Sequence, residues 1–291
     1  MSIAIGFPLV TALVALAASW FVPRFARPAT AVWALTLAIV LAVLATLTLL
    51  LQLSAAGLSE VPVIADVIGW CRVLYGGQHG ATPIVGVVSL LALGFIGWRI
   101  ASHVRRVRSG MRQFSGVTGV EVVDLDRPLA FAVPGSPGGV VISRSMLDEL
   151  DRDERSVILA HENAHLRYHH HVFVHVAGAC SAGLPFLSPF ARKVAYLTER
   201  WADEFAANRV GSRDLVATTI ARVALLPNAI APLHTQALVS GDVVGRFEAL
   251  ESPPLVSTPR RTIAVGLLVA VALVATGFQV HHLVDFLSHS R

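Results

Sequence analysis

"HENAHLRYHHH", residues 161–171, sets two histidines four positions apart around a glutamate and then adds three consecutive histidines. On an α-helix, positions i and i+4 share a face, so His161 and His165 can offer two imidazole nitrogens to one ion while Glu162 stands beside them, within reach of a water. Whether the stretch is helical therefore decides the reading. Asp151 with Glu154 three residues on makes a capping box, and "RSVILAHENAHLRY" follows without glycine or proline, which predicts a helix. A catalytic zinc takes three protein ligands and keeps one position open, so a third ligand must come from another element. "ARKVAYLTERWADEFAANRV", residues 191–210, reads as a second helix ending at Gly211, and it carries Glu199 with Asp203 one turn later. Glu199 is the expected third ligand, and Asp203 is expected to hydrogen-bond the free N–H of a ligand histidine and fix its tautomer. Ala202 and Ala206 keep one side of that helix slim enough for a close approach.

Other residues compete for these roles. Glu204 and Asp203 are alternatives to Glu199 as third ligand, and His165 with His169, or His171 with His175, repeat the i, i+4 spacing. Only the pair around Glu162 has a base in place, so His169, His170 and His171 are read as a solvated or interfacial cluster. Trp201 and Tyr196 are read as packing residues, and Arg246 in "GRFEAL" as a surface or headgroup arginine rather than an oxyanion-stabilising one.

The motif sits in an unusually apolar chain. Of 291 residues 54% are hydrophobic and only 14% charged, and the mean hydropathy is +0.65; this is membrane-protein composition. Four uncharged runs, 3–22, 32–53, 81–98 and 262–280, approach or exceed the ~18–20 residues that cross a bilayer as a helix. The first has its positive charges, Arg24 and Arg27, after the apolar run rather than before it, so it reads as a retained helix and not a cleaved signal. Arg24 and Arg27, the cluster Arg99, Arg105, Arg106, Arg108 and Arg112, and the pair Arg260 and Arg261 flank span ends, whereas the loop 54–80 has one arginine. The positive-inside rule then puts both termini outside and the 101–261 segment in the cytoplasm. The sequence pI near 9.7 restates this bias and is not read as a nucleic-acid signal. Cys71 and Cys180 fall on opposite sides of the membrane in this topology, so no intramolecular disulfide is expected, and no cysteine metal motif is present.

The expected organisation is three transmembrane helices in 1–100, a soluble insert in 101–261, and a fourth helix with a short outer tail in 262–291. The insert opens with strand-like runs, "VEVVDL" (120–125), "LAFAV" (129–133) and "GVVIS" (139–143), separated by the turn chemistry of "DRP" and "PGSPGG". It then changes to helix. The apolar stretch 172–190 tempts a fifth span, but one crossing would separate His165 from Glu199, and two need roughly 40 residues where 33 intervene. It is expected to pack on the domain or lie against the inner leaflet, broken at Gly183, Pro185 and Pro189.

"AFAVPG", "VVIS", "DERSVILAHENAHLRYHH" and "ERWADEFAA" resemble the BlaR/MecR-type integral membrane zinc metallopeptidases, and more distantly the HtpX-type ones, across about 120–210. The resemblance implies an α+β zincin-like (gluzincin) domain inserted between the third and fourth of four transmembrane helices in a mainly α membrane protein. It implies Zn2+ on His161, His165 and Glu199 with Glu162 as catalytic base. It also implies a multi-pass protein of the bacterial inner membrane that cleaves a protein or peptide, such as a cytoplasmic repressor or the chain itself. Two departures stand out. BlaR/MecR sensors carry a penicillin-binding domain after the last span, but few residues follow Val280 here and no S-x-x-K occurs, so direct β-lactam sensing is not expected. Asn163 stands where the family is apolar, and a change in packing is expected from it. Two rival functions remain: a zinc-holding membrane scaffold or signal transducer with little turnover, against which Glu162 argues, and a quality-control protease of membrane proteins, which differs only in substrate.

Overall fold

The computed structural model describes residues 26–58, 61, 82–112, 116–135, 138–226 and 243–254, with scattered positions in 13–22 and 263–281. The first and fourth expected spans, most of the loop 54–80 and Cys71 lie outside the described residues. The other two runs form long helices. Helix α1, Pro28–Leu58, and helix α2, Pro83–Arg112, are both long and apolar enough to cross a membrane. Both exceed their expected bounds at each end except where α2 begins. Inside α1 the hydroxyls of Thr46, Thr48 and Ser54 donate to the carbonyls of Ala42, Leu44 and Leu50, which satisfies them within the helix.

Helices α1 and α2 touch backbone to backbone at one point. A Cβ added to Gly57 would lie 2.6 Å from Cα of Gly86, so only glycine fits at this crossing. At 30 residues, or about 45 Å, α2 is longer than a ~30 Å hydrocarbon layer, and its C-terminal half carries the arginine cluster, of which Arg99 donates to the Ala182 carbonyl.

Three strands follow, β1 (Gly119–Val123), β2 (Ala130–Val133) and β3 (Gly139–Ser143), each where the sequence predicts one. Strand β3 is central, parallel to β1 and antiparallel to β2, so the sheet order is β1-β3-β2. The "GVVIS" strand is buried at every position, and β2 is left as an outer strand. The short helix α3, Arg144–Glu149, joins the sheet to helix α4, Arg152–Arg167, which holds the H-E-x-x-H residues. Its capping box forms as predicted. Asp151 accepts from the N–H groups of Asp153 and Glu154, both at 2.9 Å, and the Glu154 carboxylate accepts from Asp151 N–H. Arg222 then clamps both Glu154 oxygens, at 2.8 and 2.7 Å.

The chain reverses through Tyr168 and His169, the latter at φ 52° in the left-handed region, into helix α5, His170–Gly183. The stretch 172–190 is therefore one helix and a turn. At 14 residues, or about 21 Å, α5 is too short to cross a bilayer. Gly183 ends it against Ile96 and Ile100 of α2, a 3-10 turn at Pro185–Leu187 turns the chain back, and helix α6 runs from Ser188 to Val210. Pro189 breaks nothing: it lies in the first turn of α6, where a missing N–H costs little. Helices α7, Arg213–Ala224, and α8, Val243–Glu251, complete the domain.

Separate apolar clusters hold these parts. An apolar cluster joins Val32, Leu35, Ile39 and Val43 of α1 to Phe173, Ala177 and Cys180 of α5 and to Val194 and Leu197 of α6. A second cluster joins Val157 and Ala160 of α4 to Ala206, Ala207, Val216 and Ile220 of α6 and α7. Helix α4 is thus held between the sheet, through Ile158 on Ile142 and Met146, and α6. Ala202 and Ala206 are fully buried, as their predicted role in letting the helices close up requires.

Candidate metal centre

The close approach of α4 and α6 brings His161, His165 and Glu199 together, with one ligand atom from each within 4.8 Å of the others. The separations are tighter than that. Nε2 of His161 lies 3.1 Å from Nε2 of His165 and 3.4 Å from Oε2 of Glu199, and Nε2 of His165 lies 3.5 Å from Oε1 of Glu199. Ligand atoms at ~2.0–2.1 Å from a tetrahedral zinc stand roughly 3.3 Å apart, and these closest approaches, which reach the two histidines from different oxygens of Glu199, are near that spacing. Two imidazoles and one carboxylate are also the donor set of a catalytic zinc site. The charge fits as well: two buried carboxylates, Glu199 and Asp203, face the guanidinium of Arg246, leaving net negative charge for a cation to balance when His161 is neutral, as a metal ligand must be.

Each ligand is oriented by a second group. Nδ1 of His161 lies 3.0 Å from Oδ1 of Asp203, the contact expected from the i, i+4 position of Asp203 on α6. Asp203 is in turn held by Arg246, whose Nε and Nη2 donate to Oδ2 and Oδ1 at 2.8 and 2.6 Å. The same guanidinium reaches Oε2 of Glu199 from Nη1 at 3.2 Å. Arg246 therefore closes a ring of contacts running from Asp203 through His161 to Glu199. It is not the surface or headgroup residue that its sequence context suggests. The tyrosine hydroxyl of Tyr196 donates to the Gly245 carbonyl, and Arg213 donates to those of Leu250, Ala249 and Ser252, so α8 is tied down where it delivers Arg246. Arg213 also pairs with Glu204, which faces away from the cluster and drops out as a ligand.

The histidine row divides. His169 is exposed, but His170 is fully buried, and its Nδ1 lies 3.2 Å from Nδ1 of His165. Its ring stands 4.8 Å from that of Trp201 and 6.0 Å from that of Tyr168. The solvated reading of His170 fails because the left-handed turn at His169 swings residue 170 inward. Trp201 packs as predicted, and Asn163 is exposed on α4, where a polar side chain alters no packing.

Glu162 borders the cluster and accepts a hydrogen bond from the backbone N–H of Ala132 on β2; burial, with Glu199 nearby, pushes its carboxyl up to about 7 against the opposing pull of His161. Burial disfavours charge on His161, yet hydrogen bonds and charge from Asp203 and Glu199 outweigh it and raise its pKa to about 10. Those two carboxylates draw positive charge into the site. Burial alone would raise Glu199, but His165, Arg246 and His161 hold it well below the usual carboxylate range. Asp203 is likewise held down, chiefly by Arg246 against burial.

Residues 100–181 match the family model described as Peptidase family M48, a span that contains His161, Glu162 and His165 and stops before Glu199. Over this segment, less than a third of the chain, the protein is similar to the M48 peptidases. It is also similar to a "Protease HtpX homolog" of Salinibacter ruber (strain DSM 13855 / M31), 33% identical over 72 residues, which is 24% of this chain and 26% of that protein. The chain thus matches about a quarter of the length of that relative. No solved structure matches it. The M48 region and the HtpX likeness correspond to the HtpX side of the resemblance drawn from the sequence.

Proposed function

We propose that the protein is a membrane-embedded, zinc-dependent endopeptidase that cleaves a protein substrate on the cytoplasmic side of a bacterial inner membrane. The observation that carries this reading is the convergence of His161, His165 and Glu199 within metal-ligand reach of one another, with a carboxylate, Glu162, free of the ligand set beside them. A purely structural site has no use for that fourth residue. Zinc held by the three ligands would supply Lewis acidity, polarising a scissile carbonyl and bringing a water toward neutral pKa. Glu162, with its pKa lifted by burial, is matched to take a proton from that water near pH 7 and return it to the leaving amine. Asp203 holds the tautomer of His161 that leaves Nε2 free, and Arg246 holds Asp203.

Substrate binding is assigned to the outer edge of β2. The strand has no neighbour beyond it among the described residues, Ala130 and Ala132 on it are half-exposed, and its Ala132 N–H already points at Glu162. An extended peptide pairing there would run beside Glu162. The buried central strand β3 lies between β1 and β2 and offers no edge. The arginines at the span ends favour the cytoplasm for 101–261, with four spans and both termini outside. A signalling role, with a repressor or the chain itself as substrate, follows from the BlaR/MecR resemblance.

The test compares fragment patterns of membranes carrying wild-type protein or Glu162→Ala. One or a few defined cuts that disappear in the variant, while its zinc content stays at one per chain, support the proposal. Broad loss of misfolded membrane proteins in the wild type alone points to quality control. An unchanged physiological phenotype in a variant that keeps its zinc marks a scaffold.

A further inference from the structure

We infer that His170 is a positioning residue that sets the tautomer of His165, by accepting the hydrogen of its Nδ1, and so keeps Nε2 of His165 available to the metal. The inference rests on the metallopeptidase reading above. Its starting point is the one side chain in the histidine row that is completely buried.

Two imidazole nitrogens at 3.2 Å share one hydrogen, so one of the Nδ1 atoms of His165 and His170 donates and the other accepts. A metal on Nε2 of His165 needs that nitrogen's lone pair, which places the hydrogen of His165 on Nδ1. His170 must then accept, with its own hydrogen on Nε2. The reverse arrangement would direct a hydrogen from Nε2 of His165 toward His161 and Glu199, into the position the ion requires. Nε2 of His170 is buried and has no hydrogen-bond partner among the described residues. Its unpaired polar atom is the cost of using the other nitrogen, and the ring cannot escape it: Tyr168 and Trp201 flank it, and the left-handed turn at His169 fixes its backbone.

The two ligand histidines are therefore held in different ways. His161 leans on an anion, Asp203, whose charge Arg246 offsets. His165 leans on a neutral ring instead.

The test uses the full chain in lipid nanodiscs, with zinc affinity measured by competition with a chromophoric chelator. The variants are His170→Asn, whose Oδ1 lies near the position of Nδ1; His170→Gln, whose polar group lies nearer Nε2; and His170→Leu, which has no acceptor. We expect zinc to bind 10- to 100-fold more weakly to His170→Leu and His170→Gln, and within about threefold of wild type to His170→Asn. The visible spectrum of the Co2+ form should stay close to wild type only in His170→Asn. Equal affinities in all three, or equal losses, overturn the inference, since packing alone does not distinguish an acceptor at one ring position from another. If His170→Leu does not fold, the Asn and Gln pair decides on the same criterion. Wild-type protein that binds no zinc sinks the metallopeptidase reading itself, whereas tight wild-type binding with an unaffected His170→Leu sinks only the role given to His170.

Discussion

Along α6, the first half (188–197) meets α1 and α5 through Ala191, Val194 and Leu197, while the second half meets α4 through Glu199, Asp203 and the slim side chains of Ala202 and Ala206. One helix thus has a dry, apolar seam at one end and a dense charged site at the other. The two fail differently. Apolar contacts are short-ranged and individually weak, so the seam loses stability in proportion to the volume removed. The charged site is a closed ring in which each group compensates its neighbour, so removing one leaves the others buried and unpaired. The apolar half fixes how deep the charged half sits, and α6 is the rigid link between them.

The largest effect expected from breaking this contrast is chemical. Glu162→Gln should reduce proteolysis by about 10^2- to 10^4-fold while zinc content and thermal stability stay at wild-type values, as an assay with calorimetry and metal analysis would record. A stability loss that matches the activity loss would mean that Glu162 belongs to the ring rather than beside it. Next comes Arg246→Met, which strands two buried carboxylates and should destabilise the zinc-free protein by about 3–5 kcal/mol. Added zinc should recover part of this, because the ion supplies the missing positive charge; denaturation with and without zinc measures both. In the apolar half, Leu197→Ala should cost about 2–5 kcal/mol, with zinc per folded chain unchanged. The gap between the last two in their response to zinc is the sharpest form of the comparison. Farther from the site, Gly86→Leu forces α1 and α2 apart at Gly57 and should cost about 1–3 kcal/mol by overpacking, with no change in zinc affinity. Smallest, Asp151→Ala removes the N-cap of α4 and should cost about 1 kcal/mol in thermal denaturation.

Much of the site was legible in the sequence because its information is local. The capping box at Asp151 and Glu154 and the i, i+4 spacings of His161 with His165 and Glu199 with Asp203 are properties of single helices, and the helices formed where their patterns placed them. Arg246 was missed because it lies 43 residues beyond Asp203, on a short helix whose approach depends on Arg213 and Tyr196. No periodicity links them. His170 was missed for the opposite reason: it adjoins the motif, and a run of three histidines looks uniformly solvated until the backbone turns at His169. The strand order was likewise hidden. Three short β-branched runs announce a sheet, but not that the last of them lies between the first two.

Zinc K-edge X-ray absorption on the full-length protein in lipid, compared with Glu199→Ala, tests the central claim most directly. The account predicts one zinc per chain with two imidazole nitrogens and carboxylate or water oxygen at about 2.0–2.2 Å, and loss or marked weakening of zinc binding in the variant. A sulfur neighbour near 2.3 Å, or an identical spectrum from fully loaded Glu199→Ala, would contradict it.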